Sequence, residues 1–595
     1  MNSYKAPVRE MTFALFDVVE ADKVFAELGA DSASRDIIDA VLEEGAKFTQ
    51  SVLAPIYQSG DQEGCQLDVM TGSVTTPKGF REAYQQFVDG GWTGLTAPEA
   101  YGGQHLPETI GGLIKEMIDS ANLPWGNYPL LSHGAVEALK QHGEEWQREA
   151  FLRPIVEGRW TGTMCLTEPH CGSDLGLLKT KAEPADDGKY RITGTKIFIT
   201  GGDHDLTDNI VHLVLARLPD APAGTKGISL FIVPKLKVAR DGSVGERNAA
   251  TCGSIEHKMG IHASATCVMN FDGAEGYLIG AANKGLNAMF TMMNTARLAV
   301  GLQGLGLIER AYQNAAAYAR DRLQMRSLSG PKRPDKPADP LIVHPDIRRM
   351  LLTCRTLAEG GRYLALQAGL QVDIMERSES AEARKAADEL LGLLTPIVKA
   401  CLTEWSVECT YHAMQVFGGH GYIAEWGMEQ LARDARITTL YEGTTGIQAL
   451  DLLGRKTIQL QGAGLKRFLG LIVEFCTAQT QNAEMVEFIA PLAQIAQDWQ
   501  QLTMEIGKAT MENPENLGAA AVDYLYFSGY VALAYWWSRA VEAADRSGNA
   551  ELAATKRALA RFYFRKILPR TLTHAAAIKS GAASVMELDE AAFSY

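Results

Sequence analysis

Apolar residues recur near a 3.6-residue period through DIIDAVLEEGAKFTQSVLAPIY and FREAYQQFVDGG, so residues 32–157 read as a helical region. Joints rich in Gly and Pro, such as GGWTGLTAPEAYGGQ, punctuate it. The texture changes at about residue 160. KYRITGTKIFITGG, NIVHLVLARL, GISLFIVPK and ATCVMNFDG are short, rich in β-branched residues and bounded by Gly, Pro or Asp, which predicts strands of an antiparallel sheet up to about residue 280. From Lys284 the helical pattern returns, with long helices predicted over 285–325, 345–376 and 380–417. Four prolines in SLSGPKRPDKPADP, residues 327–340, forbid a continuous helix and predict a solvent-exposed loop. Past Gln461, KRFLGLIVEFCTAQ, FIAPLAQIAQDWQQLTMEIG and AAVDYLYFSGYVALAYWWSRAVEAAD belong to a further set of helices.

The expected fold is therefore α+β and mostly α. An extension (1–31) leads into an N-terminal α domain (32–159), a middle antiparallel β domain (160–282), a C-terminal helical bundle (283–460) and an additional helical domain (461–595). No internal repeat or low-complexity tract interrupts this order.

Composition narrows the function classes. With 46% hydrophobic and 22% charged residues the 595-residue chain can build large cores. Its net charge of −14 argues against nucleic acid as a main partner. The nine cysteines are scattered with no C-x-x-C pair, which points to neither a zinc site nor a disulfide framework and fits a reducing, cytoplasmic compartment. The N-terminus lacks the basic end and apolar core of a signal peptide. Residues 519–537 come nearest to a membrane span, but Asp523, Ser528 and Gly529 interrupt them, so a buried helix is expected and no integral membrane segment.

Four short segments carry candidate chemistry. In MCLTEPHCGSD, residues 164–174, a Thr hydroxyl, a Pro-containing turn, Gly172 and Ser173 offer donors along one edge; this suits a flavin carbonyl and a pyrophosphate, and equally an ordinary capped turn. In KIFITGG, Phe198 stands two residues before Thr200, so strand alternation puts both on one face; that suits a ring stacked on a flavin beside a hydroxyl, or a plain half-buried strand. QVFGGHGY, from Gln415, is a helix C-cap or a place where a diphosphate approaches the backbone of Gly418 and Gly419. In RDARITTLYEGTTGIQ, Glu442 lies in a loop backed by Ile437 and Leu440, as a helix cap or as a base with a raised pKa. The four occur in order at the joints between predicted units.

Together these segments resemble the acyl-CoA dehydrogenase family over residues 32–456, and the beginning and the helical tail resemble its larger bacterial subgroup, which includes broad-range fatty acyl-CoA and methylmercaptopropionyl-CoA dehydrogenases. The resemblance implies FAD as cofactor, held by Met164, Leu166, Thr167, Ser173, Phe198 and Thr200, with Phe198 where the family often has Trp. It also implies that Arg322, Gln415, Gly418 and Gly419 reach the FAD of a neighbouring subunit, with Thr444 and Gly446 among the cofactor contacts. Ser173, Asn294, Arg297 and Gly443 would meet the acyl-CoA substrate, and Glu442 would be the base that removes its α-proton. A homo-oligomer, a dimer first, and electron-transferring flavoprotein as electron acceptor are further implications. Three positions depart from the family pattern: Asn294 replaces a common Asp, Leu218 lies near a position that often carries a CoA-contacting Ser, and Gly446 replaces a frequent Gln.

A thioester α-proton is far less acidic than any side-chain acid, so Glu442 needs donors that strengthen as enolate charge develops. The resemblance implies the backbone N–H of Glu442 and a ribityl hydroxyl of FAD in that role. The competing readings are an acyl-CoA oxidase that passes electrons to oxygen, and a non-catalytic, DNA-binding flavoprotein of the same fold. The second would use the stripe Arg557, Arg561, Arg565 and Arg570, which is otherwise a solvated face or subunit contact.

Overall fold

A computed structural model describes residues 3–594. Chain contacts divide them into two compact units: the described residues of Met1–Glu43 with Glu108–Glu116 and Val300–Tyr595, and a second unit of Glu44–Pro107 and Met117–Ala299.

The second unit is built on a seven-stranded sheet: β1 (Trp160–Cys165), β2 (Lys181–Pro184), β3 (Tyr190–Thr200), β4 (Asn209–Arg217), β5 (Ile228–Pro234), β6 (Ala250–Ile255) and β7 (Thr266–Ile279). Its order is β6-β7-β3-β2-β4-β1, and β5 pairs with both β7 and β4, so the central strands close on themselves. Such closure explains why β4 and β5 read as nearly continuous apolar runs: both of their faces are buried. The sheet is mixed where the sequence predicts an antiparallel one. β1 runs parallel to β4, from Trp160↔Asn209 to Cys165↔Val214, and β2 touches β4 in parallel at Lys181↔Arg217. Between β1 and β4 the chain passes through two other strands, a crossover long enough to reverse direction twice. A hairpin of three-residue strands, Gln66–Asp68 and Ser73–Thr75, lies inside the region that reads as purely helical. It docks on this unit through Val74 N–H to Asp203 (3.0 Å) and the Thr76 hydroxyl to Asp205 (2.7 Å). Strands that short leave no periodic signal.

In the first unit the long helices run close to where the pattern places them. They are α1 (Gly285–Asp321), whose first residues belong to the second unit, α2 (Pro345–Arg377), α3 (Ala381–Phe417), α4 (Met428–Thr438) and α5 (Thr445–Leu450). Ser380 caps α3 by accepting from the N–H of Ala383. The appended region adds α6 (Ala463–Ala478), α7 (Val486–Glu512), α8 (Glu515–Arg546), α9 (Ala550–Phe562) and α10 (Arg570–Lys579). Gly360 and Gly361 let α2 pack tightly: a Cβ on Gly360 would lie 2.8 Å from the Trp537 indole nitrogen on α8, and one on Gly361 2.7 Å from Leu402 on α3. Helices 381–422 and 515–546 are apolar and long enough to cross a membrane by composition, but 78% and 67% of their most apolar stretches are buried inside the protein, as core helices are.

Residues 10–20 are bound into the appended helices. Buried Lys556 on α9 bridges Glu10 and Glu359, Arg539 reaches the Val18 carbonyl and Glu20, and Arg546 reaches the Asp17 carbonyl. The Arg stripe is neutralised: Arg557 pairs with Asp545 (2.6 Å), Arg561 with Glu487 (2.7 Å) and Arg570 with Glu408 (2.6 Å). Arg565 is 4.0 Å from Glu487, so the stripe meets carboxylates rather than offering free cations to phosphate. The proline-rich loop is exposed at most positions, yet it is organised around buried Asp339. Burial alone would raise that carboxyl, but N–H groups of Ser327, Arg333 and Lys332, with Arg326 beside it, hold it below its ordinary value.

Candidate active site

The positions singled out in the sequence fall in both units. In the second unit, β1 delivers Met164 and ends at Cys165, and Leu166 to Asp174 turn away from it. Leu166 is buried, Thr167 half-buried and Ser173 exposed. Glu168, buried among them, fixes the turn. It accepts from the N–H groups of Lys179 (2.8 Å) and Thr180 (3.0 Å), from the Thr180 hydroxyl (2.6 Å), and from the buried Lys196 ammonium (2.9 Å) on β3. Burial would raise its carboxyl; the Lys196 charge and these donors outweigh that and hold it down at about 2. Lys196 also donates to the Leu166 carbonyl (2.9 Å), and Ile197 N–H donates to the Thr167 carbonyl (2.9 Å). The first two sequence segments are thus joined, Thr167 beside the end of β3. Neither Glu168 nor Lys196 was among the predicted site residues; the available signal was an acidic residue in the turn after one strand and a lysine inside another. Glu168, His170 and Cys171 lie close enough together to suggest a cation site. The Lys196 ammonium already occupies the carboxylate, which disfavours a metal there.

Simple alternation does not place Phe198. The register against β7 shifts between Lys196↔Met269 and Ile199↔Cys267, and Phe198 sits in that bulge at φ +59°. Its ring is 59% exposed while Ile199, next to it, faces the core. Thr200 is half-buried. Phe198 thus presents an exposed aromatic two residues before the half-buried Thr200. Also in this unit, Asn294 and Arg297 are three residues apart on α1, Asn294 exposed and Arg297 buried. Leu218 is partly buried against the sheet core.

In the first unit, Arg322 immediately follows α1 and is exposed; Gln415, Gly418 and Gly419 at the end of α3 are exposed too. Aromatic packing draws these two helix ends together. Tyr318 stacks on Phe417 at 4.1 Å and bonds His420 at 2.9 Å, and His420 stacks on Trp426 at 4.6 Å. Gly418 is a helix C-cap, with φ +59° and ψ −137° that only glycine adopts readily. A Cβ on Gly418 or Gly419 would meet nothing within 4 Å, so the backbone there is open to approach.

Glu442 lies in the loop between α4 and α5, half-buried, with φ +56°, followed by Gly443 at φ +92°. A left-handed conformation costs a non-glycine residue roughly 1–2 kcal/mol. Several side chains hold it. Gln448 on α5 donates to the Glu442 carbonyl (3.0 Å), and buried Lys399 on α3 donates to the Gly443 carbonyl (2.7 Å). The Thr445 hydroxyl donates to Glu404, Tyr441 bonds Gln303, and Thr444 caps α5 by accepting from Ile447 N–H. Gly446 is half-buried on the first turn of α5. The expected apolar backing is incomplete, because Leu440 is 45% exposed and Ile437 only half-buried. Lys399 was missed although a signal existed: it is the lone charge in LLGLLTPIVKACL. Within one chain the loop and the glycine turn do not meet on α3, since Gln415 lies 16 residues beyond Lys399, about 24 Å along the helix axis.

The second unit thus carries a closed, mixed sheet, and the first a helical bundle with a carboxylate in a clamped loop, followed by a glycine. The chain belongs to the acyl-CoA dehydrogenase family and is an oxidoreductase. Family profiles match in order: acyl-CoA dehydrogenase N-terminal domain (38–159), middle domain (163–274) and C-terminal domain (283–456), then an acetyl-CoA dehydrogenase C-terminal-like region (468–589). A 3-methylmercaptopropionyl-CoA dehydrogenase of Ruegeria pomeroyi is 42% identical over 576 residues, covering 95% of this chain and 96% of the relative. Two solved structures share the fold. Caenorhabditis elegans ACDH-11 in complex with C11-CoA superposes with a TM-score of 0.80 at 18% identity, covering 99% of this chain and 96% of that one. An acyl-CoA dehydrogenase from Bacillus anthracis complexed with FAD has a TM-score of 0.71 at 20% identity, covering 92% and 89%.

Proposed function

We propose that this protein oxidises the α,β carbon–carbon bond of acyl-CoA thioesters with FAD, Glu442 taking the α-proton. The observation that carries this reading is a half-buried carboxylate on a loop where its own carbonyl and that of the following Gly443 are each held by a side chain. Bound FAD supplies the acceptor for the hydride that leaves the β carbon. The protein's own part is positioning. Glu442 presents its carboxylate to the α carbon, and its backbone N–H donates to the thioester carbonyl as enolate charge develops. Thr167, Ser173, Phe198 and Thr200, with Met164 and Leu166 behind them, suit a flavin ring and its phosphates; an exposed ring among hydroxyl donors is the feature that supports the fit. Asn294, Arg297 and Gly443 are assigned to the CoA thioester, and Thr444 and Gly446 to the cofactor's surroundings.

Arg322, Gln415, Gly418 and Gly419 are assigned to the FAD of a partner subunit in a homodimer, supported by their exposure at two joined helix ends. An Arg322→Glu protein is accordingly expected to purify with a substoichiometric flavin absorbance and to recover it only at high added FAD. Full flavin content in a stable monomer would sink this assignment.

The overall reading is tested by anaerobic bleaching of the flavin against a panel of acyl-CoAs. 3-Methylmercaptopropionyl-CoA is the first choice because of the Ruegeria pomeroyi relative. The reduced protein with product bound is then mixed with aerated buffer or with electron-transferring flavoprotein. Fast reoxidation only by the carrier is expected, because product held against the ring keeps oxygen and water out. Peroxide formed at the rate of turnover would make the protein an oxidase instead, and no bleaching by any acyl-CoA would remove the reading altogether.

A further inference from the structure

We infer that Lys399 is a positioning residue for the catalytic carboxylate, acting through the backbone of the loop rather than through substrate. This rests on Glu442 as the base proposed above. Lys399 is fully buried on α3, where an ammonium is strongly disfavoured unless its donors are used. One of those donors goes to the carbonyl of Gly443, the residue after the carboxylate, at 2.7 Å. Gln448 holds the preceding carbonyl, that of Glu442 itself, at 3.0 Å. The two peptide planes that follow Glu442 are therefore fixed by two side chains from two helices. With those planes fixed, Glu442 is kept at φ +56°, a conformation a non-glycine residue leaves when released, beside Gly443 at φ +92°. The clamp is tight as well as strained: a Cβ on Gly443 would sit 2.7 Å from the Gln448 amide nitrogen. Releasing either plane swings the carboxylate and the N–H of Glu442 together, because both hang from the same Cα.

A structural lysine and a positioning lysine make different predictions. A lysine that is only structural shows its loss in folding and flavin content, since Lys399→Met removes a buried ammonium together with its bond to the Gly443 carbonyl. A loop displaced by about 1 Å, in contrast, slows chemistry by about 10²-fold. The experiment uses the intact FAD-loaded protein with Lys399→Met and Lys399→Ala, read for flavin content, acyl-CoA dissociation constant and rate of flavin reduction on rapid mixing. Expected in Lys399→Met are flavin content and dissociation constant within about twofold of the parent and reduction slowed about 10²-fold. In Lys399→Ala, added propylammonium is expected to restore reduction in a saturable way by refilling the ammonium position. A parental reduction rate in Lys399→Met, measured where Glu442→Gln is inactive, overturns the inference. So does loss of flavin and rate together with no recovery by the amine in Lys399→Ala, which also decides the matter should the Met variant fail to fold. Normal reduction in Glu442→Gln would strike the base assignment instead, so the two failures are distinguishable.

Discussion

Glu442→Gln is expected to keep FAD and bind acyl-CoA much as the parent protein does, while flavin reduction falls by roughly 10²- to 10⁴-fold, the usual contribution of a positioned general base. The substitution keeps the side-chain volume and removes only the ability to accept a proton. The bonds from Gln448 and Lys399 to the carbonyls of residues 442 and 443 remain available in this variant. Water is a poor substitute in a site closed by the acyl chain. Stopped-flow absorbance at the flavin band, under anaerobic conditions and with saturating acyl-CoA, is the measurement. Reduction at the parental rate would move the base to another residue.

The second large effect concerns Lys196. Lys196→Met is expected to destabilise the protein by roughly 3–5 kcal/mol, since it leaves Glu168 buried without its cation. Glu168→Gln/Lys196→Met together should cost much less than the single change, because no charge is then stranded. The effect also depends on pH. In the parent the Glu168 carboxyl is held at about 2 against an ordinary value of 4.5, so its contribution is complete above pH 4.5 and is lost as pH falls toward 2. In Lys196→Met the largest lowering influence is gone and only the Lys179 and Thr180 donors oppose burial, so that carboxyl titrates higher than in the parent and its penalty is greatest at neutral pH. The gap between the two proteins should therefore narrow as pH drops from 7 toward 4. Thermal unfolding at several pH values reads this directly; a gap independent of pH, or a double variant as unstable as the single one, would show that the pair does not hold the turn.

Legibility tracked the length of each pattern. α1, α2 and α3 each run for more than thirty residues, and a 3.6-residue period sustained that long places a helix within a few residues of its ends. β4 and β5 were visible as apolar, β-branched runs. The hairpin at 66–75 and the parallel seating of β1 on β4 left no local trace, since three residues carry no period and parallel pairing depends on a crossover through two other strands. At the site, Glu442 stood out by its glycine and threonine neighbours. Its left-handed backbone and the residues that hold it did not.

By itself the sequence determined the order of helical and sheet regions and the short segments rich in Gly, Thr and carboxylate at their joints, because periodicity and turn chemistry are local. Only the tertiary structure decided which distant groups meet: Lys196 with Glu168 from 28 residues away, Lys399 with Gly443 from 44, and Lys556 with Glu10 from 546. It also turned the Phe198 ring outward through a bulge where alternation alone gives no such answer. A buried charge must find its partner somewhere in the folded chain, and nothing in the neighbouring residues says where.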